Sequence, residues 1–239
     1  MGRMIAGAAF QLLFSMEACS VDRLRGVLFD NDGTLVDTYG LILSSFQHAM
    51  RVVLDREMPE STLMAKVGQP LAEQMKDFSD DPMVQEELLR VHREFNHERH
   101  DSEVRVFPGV LEGLRRMRDA GFALGVVTSK MHWLAWRGLE ETGAAPFLQC
   151  CIGADDCSTF KPAPDPVIAG AHALGLRPGE CLYVGDSPFD IAAGNAAGCR
   201  TVAALWGMFS RDALAAETPT FYCESFDDLV ALVEGEARV

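Results

Sequence analysis

From Pro108 onward the chain alternates short apolar runs with helix-patterned stretches, and this alternation restricts the fold more than any other feature. "FPGVLEGLRRMRDAG" reads as a helix closed by Gly121, and "FALGVVT" as a buried strand. Then come a helix "WLAWRGLEETG", a short strand "QCCIG", a helix "PDPVIAGAHALG", a strand "CLYVGD", a helix "SPFDIAAGNAAG" and a strand "RTVAAL". "TFYC" and "SFDDLVALV" supply a last strand and helix. Asp165-Pro166 and Ser187-Pro188 each place a capping residue before a proline, which suits the first position of a helix. Apolar strands separated by helices predict βαβ units, hence a parallel sheet covered on both faces. The upstream run "RGVLFD" belongs to the same sheet.

Between that first strand and the rest lies a stretch with no strand candidate. Ile42, Phe46, Met50 and Val53 recur at helical spacing. Asp81 and Pro82 open a second helix, whose stripe is Val84, Leu88, Val91 and Phe95. Shorter helical pieces between them break at Gly68 and Pro70. The expected architecture is therefore α/β: a Rossmann-like parallel sheet core with helices on both faces, plus an inserted all-helical cap. The core takes 22–38 and 105–239, the cap 39–104, and 1–21 form an N-terminal extension. That extension faintly resembles a signal sequence, but Gln11 interrupts its apolar run and Glu17 occupies the would-be cleavage region, so Met16 stands as an alternative start.

A net charge of −14 with no basic stripe argues against a nucleic-acid partner. No stretch is long and apolar enough to span a membrane. The seven Cys are odd in number and mostly sit in apolar segments, as reduced thiols of a cytoplasmic protein do. His92, His97 and His100 share a helical stretch, but only the last two are three apart, and that pair reads as solvated surface rather than a metal site.

The residues at the predicted carboxyl ends of the strands carry the chemistry, because ligands of open parallel sheets bind there. "FDNDGTLVDT" crowds Asp30, Asp32 and Asp37 after an apolar strand. Like charges that close either form a solvated turn or hold something positive. "FALGVVT" runs into Thr128-Ser129-Lys130, "CLYVG" into Asp186-Ser187 with Asp190 a turn later, and Lys161 lies in a loop that opens a helix. A hard cation such as Mg²⁺ would offset the carboxylates, and Lys161 and Thr128 would face the phosphoryl group it draws in. A carboxylate can then act as nucleophile and a second as acid and base.

Taken in order, these four pieces resemble the motifs of the haloacid dehalogenase-like hydrolases, a family dominated by Mg²⁺-dependent phosphatases. Asp30-Asn31-Asp32-Gly33-Thr34 matches its Asp-x-Asp-x-Thr, Thr128 its second motif, Lys161 its third, and Asp186 with Asp190 its acidic pair. The resemblance implies that Asp30 is the nucleophile and Asp32 the acid/base. It implies that Asp30, the carbonyl of Asp32 and Asp186 hold Mg²⁺, and that Thr128, Ser129 and Lys161 bind the phosphoryl oxygens. Asp190, Gly33 and Thr34 support the site. Asn31 departs from the family, which usually has an apolar residue there. The cap's position after the first motif resembles the phosphoglycolate-phosphatase-like branch and its pyrophosphatase relatives. Gly68 and Gln69, at the break between cap helices, are candidates for touching the leaving group, and Thr38-Tyr39 and Val106-Pro108 for hinges. The expected reaction is hydrolysis of a small phosphate monoester, phosphoglycolate- or sugar-phosphate-like, through an aspartyl-phosphate. A phosphosugar mutase or an inorganic pyrophosphatase is the alternative. The expected partner is a small phosphorylated metabolite, acted on by a monomer or a homodimer.

Overall fold

A computed structural model describes residues 23–236, so the expectations for the N-terminal extension lie outside the described residues. Six parallel strands make one sheet: β1 (Gly26–Phe29), β4 (Ala123–Val127), β5 (Cys150–Ile152), β6 (Cys181–Gly185), β7 (Arg200–Ala204) and β8 (Phe221–Cys223). Their order is β5-β4-β1-β6-β7-β8. β1 is central and wholly buried, with β4 and β6 paired to it in parallel. The chain builds outward from β1 through β4 and β5, then crosses to build the other half from β6. The order reverses between β1 and β6, and a crevice opens at that switch point on the carboxyl edge.

Side chains of a strand alternate between faces, and two separate cores record this. Val27 and Phe29 of β1 join one cluster with Leu182 and Val184 of β6. That cluster is covered by α5 (Val110–Asp119), α6 (His132–Glu141) and α10 (Phe226–Glu236). Leu28 points the other way and meets Tyr183 beneath α7 (Asp165–Ala173) and α8 (Pro188–Ala197). The helical caps expected from sequence hold in part. Ser187 closes a reciprocal capping box with Asp190, but α7 takes Pro164 at its cap position. Asp165 stands one residue inside α7 and accepts from the Thr159 hydroxyl instead. α9 (Arg211–Ala215), capped by Ser210, was not anticipated; at five residues it is too short to show a periodicity.

The inserted block contains α1 (Tyr39–Leu54), α2 (Glu60–Leu63), α3 (Leu71–Met75) and α4 (Pro82–Glu103). It has its own core, with Phe46, Met50, Leu63, Met75, Leu88 and Val91 at its centre. Asp81 caps α4 by accepting from the Met83 amide, as its sequence predicts. The face α4 buries differs from the expected stripe. Leu88 and Val91 are buried, and the buried positions then continue as His92, Asn96 and His100, while Phe95 stays half-buried. The reading of the His97–His100 pair as solvated surface therefore fails for His100, which is buried. Histidine's usual preference for the surface gave way to the helical phase that Leu88 and Val91 impose. A two-stranded ribbon, β2 (Val36–Asp37) with β3 (Arg105–Val106), ties the block to the sheet core. It lies where the hinges were expected, and each strand is too short to be seen in the sequence. Among the described residues no helix is long and apolar enough to cross a membrane.

Candidate active site

β1 delivers Asp30 to the switch point. The Asp30 amide donates to the Val184 carbonyl at 2.8 Å, extending the ladder one residue past the strand. The chain then turns sharply, with the Asn31 carbonyl accepting from the amides of Leu35 and Val36 at 3.0 Å each. Gly33 makes the turn possible with a φ of 83°. A β-carbon there would lie 2.2 Å from Asp186 Oδ2. Asp186, delivered by β6, is held in place by the Thr34 hydroxyl at 3.0 Å on Oδ1 and the Met208 amide at 2.8 Å on Oδ2. Gly207 gives this clamp its room, since a β-carbon there would sit 2.2 Å from that of Asp186. Asp37, the third acid of the opening cluster, turns outward; it is exposed and accepts from the Tyr39 amide.

Lys161 is 1% exposed and lies between two acids, 2.5 Å from Asp190 Oδ1 and 3.0 Å from Asp30 Oδ1. The Asp30 contact is poorly aligned, so Asp30 Oδ1 has no hydrogen bond among the described residues. Asp190 is fully engaged: Lys161 and the Tyr183 hydroxyl meet Oδ1, and the Ser187 amide and hydroxyl meet Oδ2. The donor atoms of Asp30, Asp186 and Asp190 lie within 4.8 Å of one another.

Burial pushes the Asp30 carboxyl up to about 7, with the Asp190 charge adding to it and Lys161 opposing. Asp186 is raised well above the usual carboxylate range by burial, then by Asp190 and Asp30. Burial alone would lower the Lys161 ammonium; Asp190 and Asp30 outweigh it and hold the lysine charged. Burial and the Asp190 charge outweigh Lys161, so Asp30 retains a raised pKa beside a cation. Three buried carboxylates, one ammonium and a carboxylate oxygen without a hydrogen bond are short of positive charge. An all-oxygen donor set of this kind fits a hard divalent cation.

Asp32 is set apart from this group. Burial pushes it up, but the Lys130 ammonium at 2.8 Å, with the Thr38 hydroxyl also at 2.8 Å and the Asn31 amide, brings it below its ordinary value. Asn31 itself is buried, and its Oδ1 has no protein partner among the described residues. Thr128 is buried at the end of β4, where its Oγ1 accepts from the Lys130 amide. The Ser129 hydroxyl donates to the Gly68 carbonyl at 2.6 Å, so it latches the helical block to the sheet core. Gly68 needs its φ of 106°, and a β-carbon there would meet Ser187 Oγ at 2.7 Å. Gly68 and Gln69 line a cavity of about 300 Å³ with Asp30, Asp32, Thr128 and Ser129. Sequence reasoning assigned no role to Lys130, Tyr183, Trp206 or Met208, and took Thr38 as a hinge rather than as the hydroxyl that donates to Asp32. Lys130 was visible beside Thr128; the Met208 amide and the Trp206 indole, which donates to the Thr34 carbonyl at 3.0 Å, carry no sequence signature.

Gly33→Ala should lose divalent-cation affinity by at least about tenfold and destabilise the fold by about 1–3 kcal/mol, because a left-handed backbone and a contact with Asp186 are strained together. Cation titration and denaturant unfolding of the variant check this. An unchanged cation affinity would separate the Asp186 cradle from the ion.

An α/β sheet with a helical cap over its carboxyl edge, and a crowd of buried carboxylates at the switch point that could hold a cation, is the architecture of a capped hydrolase. The haloacid dehalogenase-like hydrolase profile matches residues 27–204, and the chain belongs to that family. It is 36% identical over 210 residues to the pyrophosphatase PpaX of Bacillus pumilus, covering 88% of this chain and 96% of that one. It is 34% identical over 215 residues to the pyrophosphatase PpaX of Anoxybacillus flavithermus, covering 90% and 99%. Among solved structures it is similar to a predicted phosphoglycolate phosphatase from Haemophilus somnus: TM-score 0.80, 25% identity, 88% of this chain and 98% of that one.

Proposed function

We propose that this hydrolase is a Mg²⁺-dependent phosphatase and passes the phosphoryl group of a small phosphate monoester first to Asp30 and then to water. The observation that carries this reading is Asp30 itself: a buried carboxylate on the cavity wall, beside Lys161, with one oxygen free of hydrogen bonds. Asp30, Asp186 and the carbonyl of Asp32 would hold the ion, and bound Mg²⁺ would supply positive charge to the phosphoryl oxygens. Asp190, with both oxygens engaged by Lys161, Tyr183 and Ser187, serves the site by fixing Lys161.

The steps left to the chain follow from the geometry. Asp30 Oδ1 attacks phosphorus, and the bond to the leaving oxygen breaks. Lys161 and Thr128 orient the phosphoryl oxygens. Asp32 protonates the leaving oxygen and afterwards takes a proton from the water that attacks the phosphoenzyme. Its pairing with Lys130 keeps it ionised, as the water step requires. The leaving-group step needs that pair to loosen when substrate enters. Residues 39–104 act as the cap, moving on the β2–β3 ribbon to admit substrate and closing through the Ser129–Gly68 latch to exclude water.

Phosphate release from a panel of phosphorylated metabolites should depend on Mg²⁺ and cease in excess chelator. Full turnover in chelator would remove the metal from the mechanism. The relatives' names favour a second reading, inorganic pyrophosphate as substrate, and including it in the same panel ranks the two by kcat/KM.

A further inference from the structure

We propose that His92 and Gln74 read the leaving group, and that the leaving group they fit is uncharged and bears hydroxyls beside an apolar face. This rests on the reading that phosphoryl transfer occurs at Asp30, which lines the same cavity.

His92, on α4, is 4% exposed, and neither ring nitrogen has a hydrogen-bond partner among the described residues. Its ring stands edge-on to Phe46, with centroids 4.7 Å apart. Gln74, on α3, is 6% exposed. Its Nε2 donates to the Gln69 carbonyl at 2.8 Å, which orients the amide and leaves Oε1 as the atom without a partner. Both residues line the cavity that contains Asp30 and Asp32. Buried polar groups are nearly always satisfied, and a group left without a partner costs stability. Two such residues in the lining of the reaction cavity are explained if a substrate satisfies them.

The hydrogen-bond inventory then selects the ligand. Burial first, then Arg93, His97 and Lys130, push His92 down to about 3, so its imidazole is neutral. It offers one donor and one acceptor, and Gln74 Oε1 offers a second acceptor. A hydroxyl both gives and takes, and two hydroxyls satisfy all three. A second phosphate or a carboxylate presents acceptors only and would leave two lone pairs facing an anion. Ile42, Phe46 and Leu71 add apolar surface to the same lining, which a bare pyrophosphate would leave unused. Arg93 also lines the cavity and has no ion-pair partner among the described residues. It is half-buried, and it is the one cap group there that would favour an anionic leaving group.

The test uses the full chain with His92→Phe, Gln74→Met and Arg93→Gln. Substrates are glycerol and hexose phosphates, their deoxy analogues, para-nitrophenyl phosphate and inorganic pyrophosphate. Wild type should favour the best hydroxylated phosphate over pyrophosphate, and over its deoxy analogue, by at least about 100-fold in kcat/KM. His92→Phe and Gln74→Met should each remove about 10- to 100-fold from that substrate while leaving the aryl phosphate unchanged. His92→Phe should be at least as thermostable as wild type, since it removes only polar atoms without a partner; Gln74→Met also gives up the hydrogen bond to the Gln69 carbonyl and is read by kcat/KM alone. Pyrophosphate ranking first in wild type, with Arg93→Gln the damaging variant, would overturn the proposal. So would an equal loss on every substrate together with a lowered Tm, which marks a structural role. Binding of the hydroxylated phosphate to Asp30→Asn, with and without His92→Phe, separates the two readings. Weakening by His92→Phe in that background supports the subsite even if phosphoryl transfer at Asp30 fails its own test, and unchanged binding overturns it.

Discussion

Lys161→Met should abolish turnover and lower folding stability by about 3–5 kcal/mol, the usual cost of removing one partner from a buried charge pair. Lys161 is 1% exposed, and the acids beside it, Asp30 and Asp190, are 4% and 0% exposed. Without the ammonium two carboxylates face each other in a site that already raises Asp30 to about 7. Methionine fills the volume, so the loss reports charge rather than a cavity. Adding Asp190→Asn to the variant should recover part of the stability but none of the activity, because Asp190 then no longer needs its partner while the phosphoryl oxygens still lack theirs. Denaturant midpoints of the two variants and wild type check this. An unchanged midpoint for Lys161→Met would mean that the pair contributes nothing net to folding.

Asp30→Asn and Asp32→Asn should both fall to low turnover, but for different reasons. The Asp30→Asn variant cannot form an acyl phosphate, so no phosphoenzyme accumulates with any substrate. The Asp32→Asn variant keeps the nucleophile and loses proton transfer, which is worth about 10²–10⁴-fold per step. An aryl phosphate has a leaving group that needs little protonation. On it the first step of Asp32→Asn should survive and the second stall, giving a burst of aryl alcohol followed by slow release of phosphate. Equal steady-state loss without a burst would take the acid/base role from Asp32. Asp32→Asn should also free Lys130, whose only ion pair among the described residues is with that acid.

The sheet was legible in the sequence because its inner strands β1, β4, β6 and β7 are apolar and almost wholly buried, and capped or glycine-closed helices follow β4, β5 and β6. Asp30, Asp186 and Lys161 were legible for the same reason, since each follows a recognisable strand or precedes a recognisable helix. Three kinds of feature were not. The β2–β3 ribbon has two residues in each strand, too few for any periodicity. The clamp on Asp186 uses the main-chain amide of Met208, and an amide is present at every non-proline position. His100 was read as surface because histidine prefers water, yet the helical phase set by Leu88 and Val91 carries His92, Asn96 and His100 inward. The Ser129 hydroxyl also donates to the Gly68 carbonyl, a contact between parts of the chain 61 residues apart that no local pattern announces.

The most direct test of the account is the intact mass of Asp32→Asn, mixed with an aryl phosphate and Mg²⁺ and quenched in acid. The account predicts one added phosphoryl group, mapped by peptide analysis to Asp30, with little in wild type and none in Asp30→Asn. An adduct on another residue, or one that persists in Asp30→Asn, would contradict it.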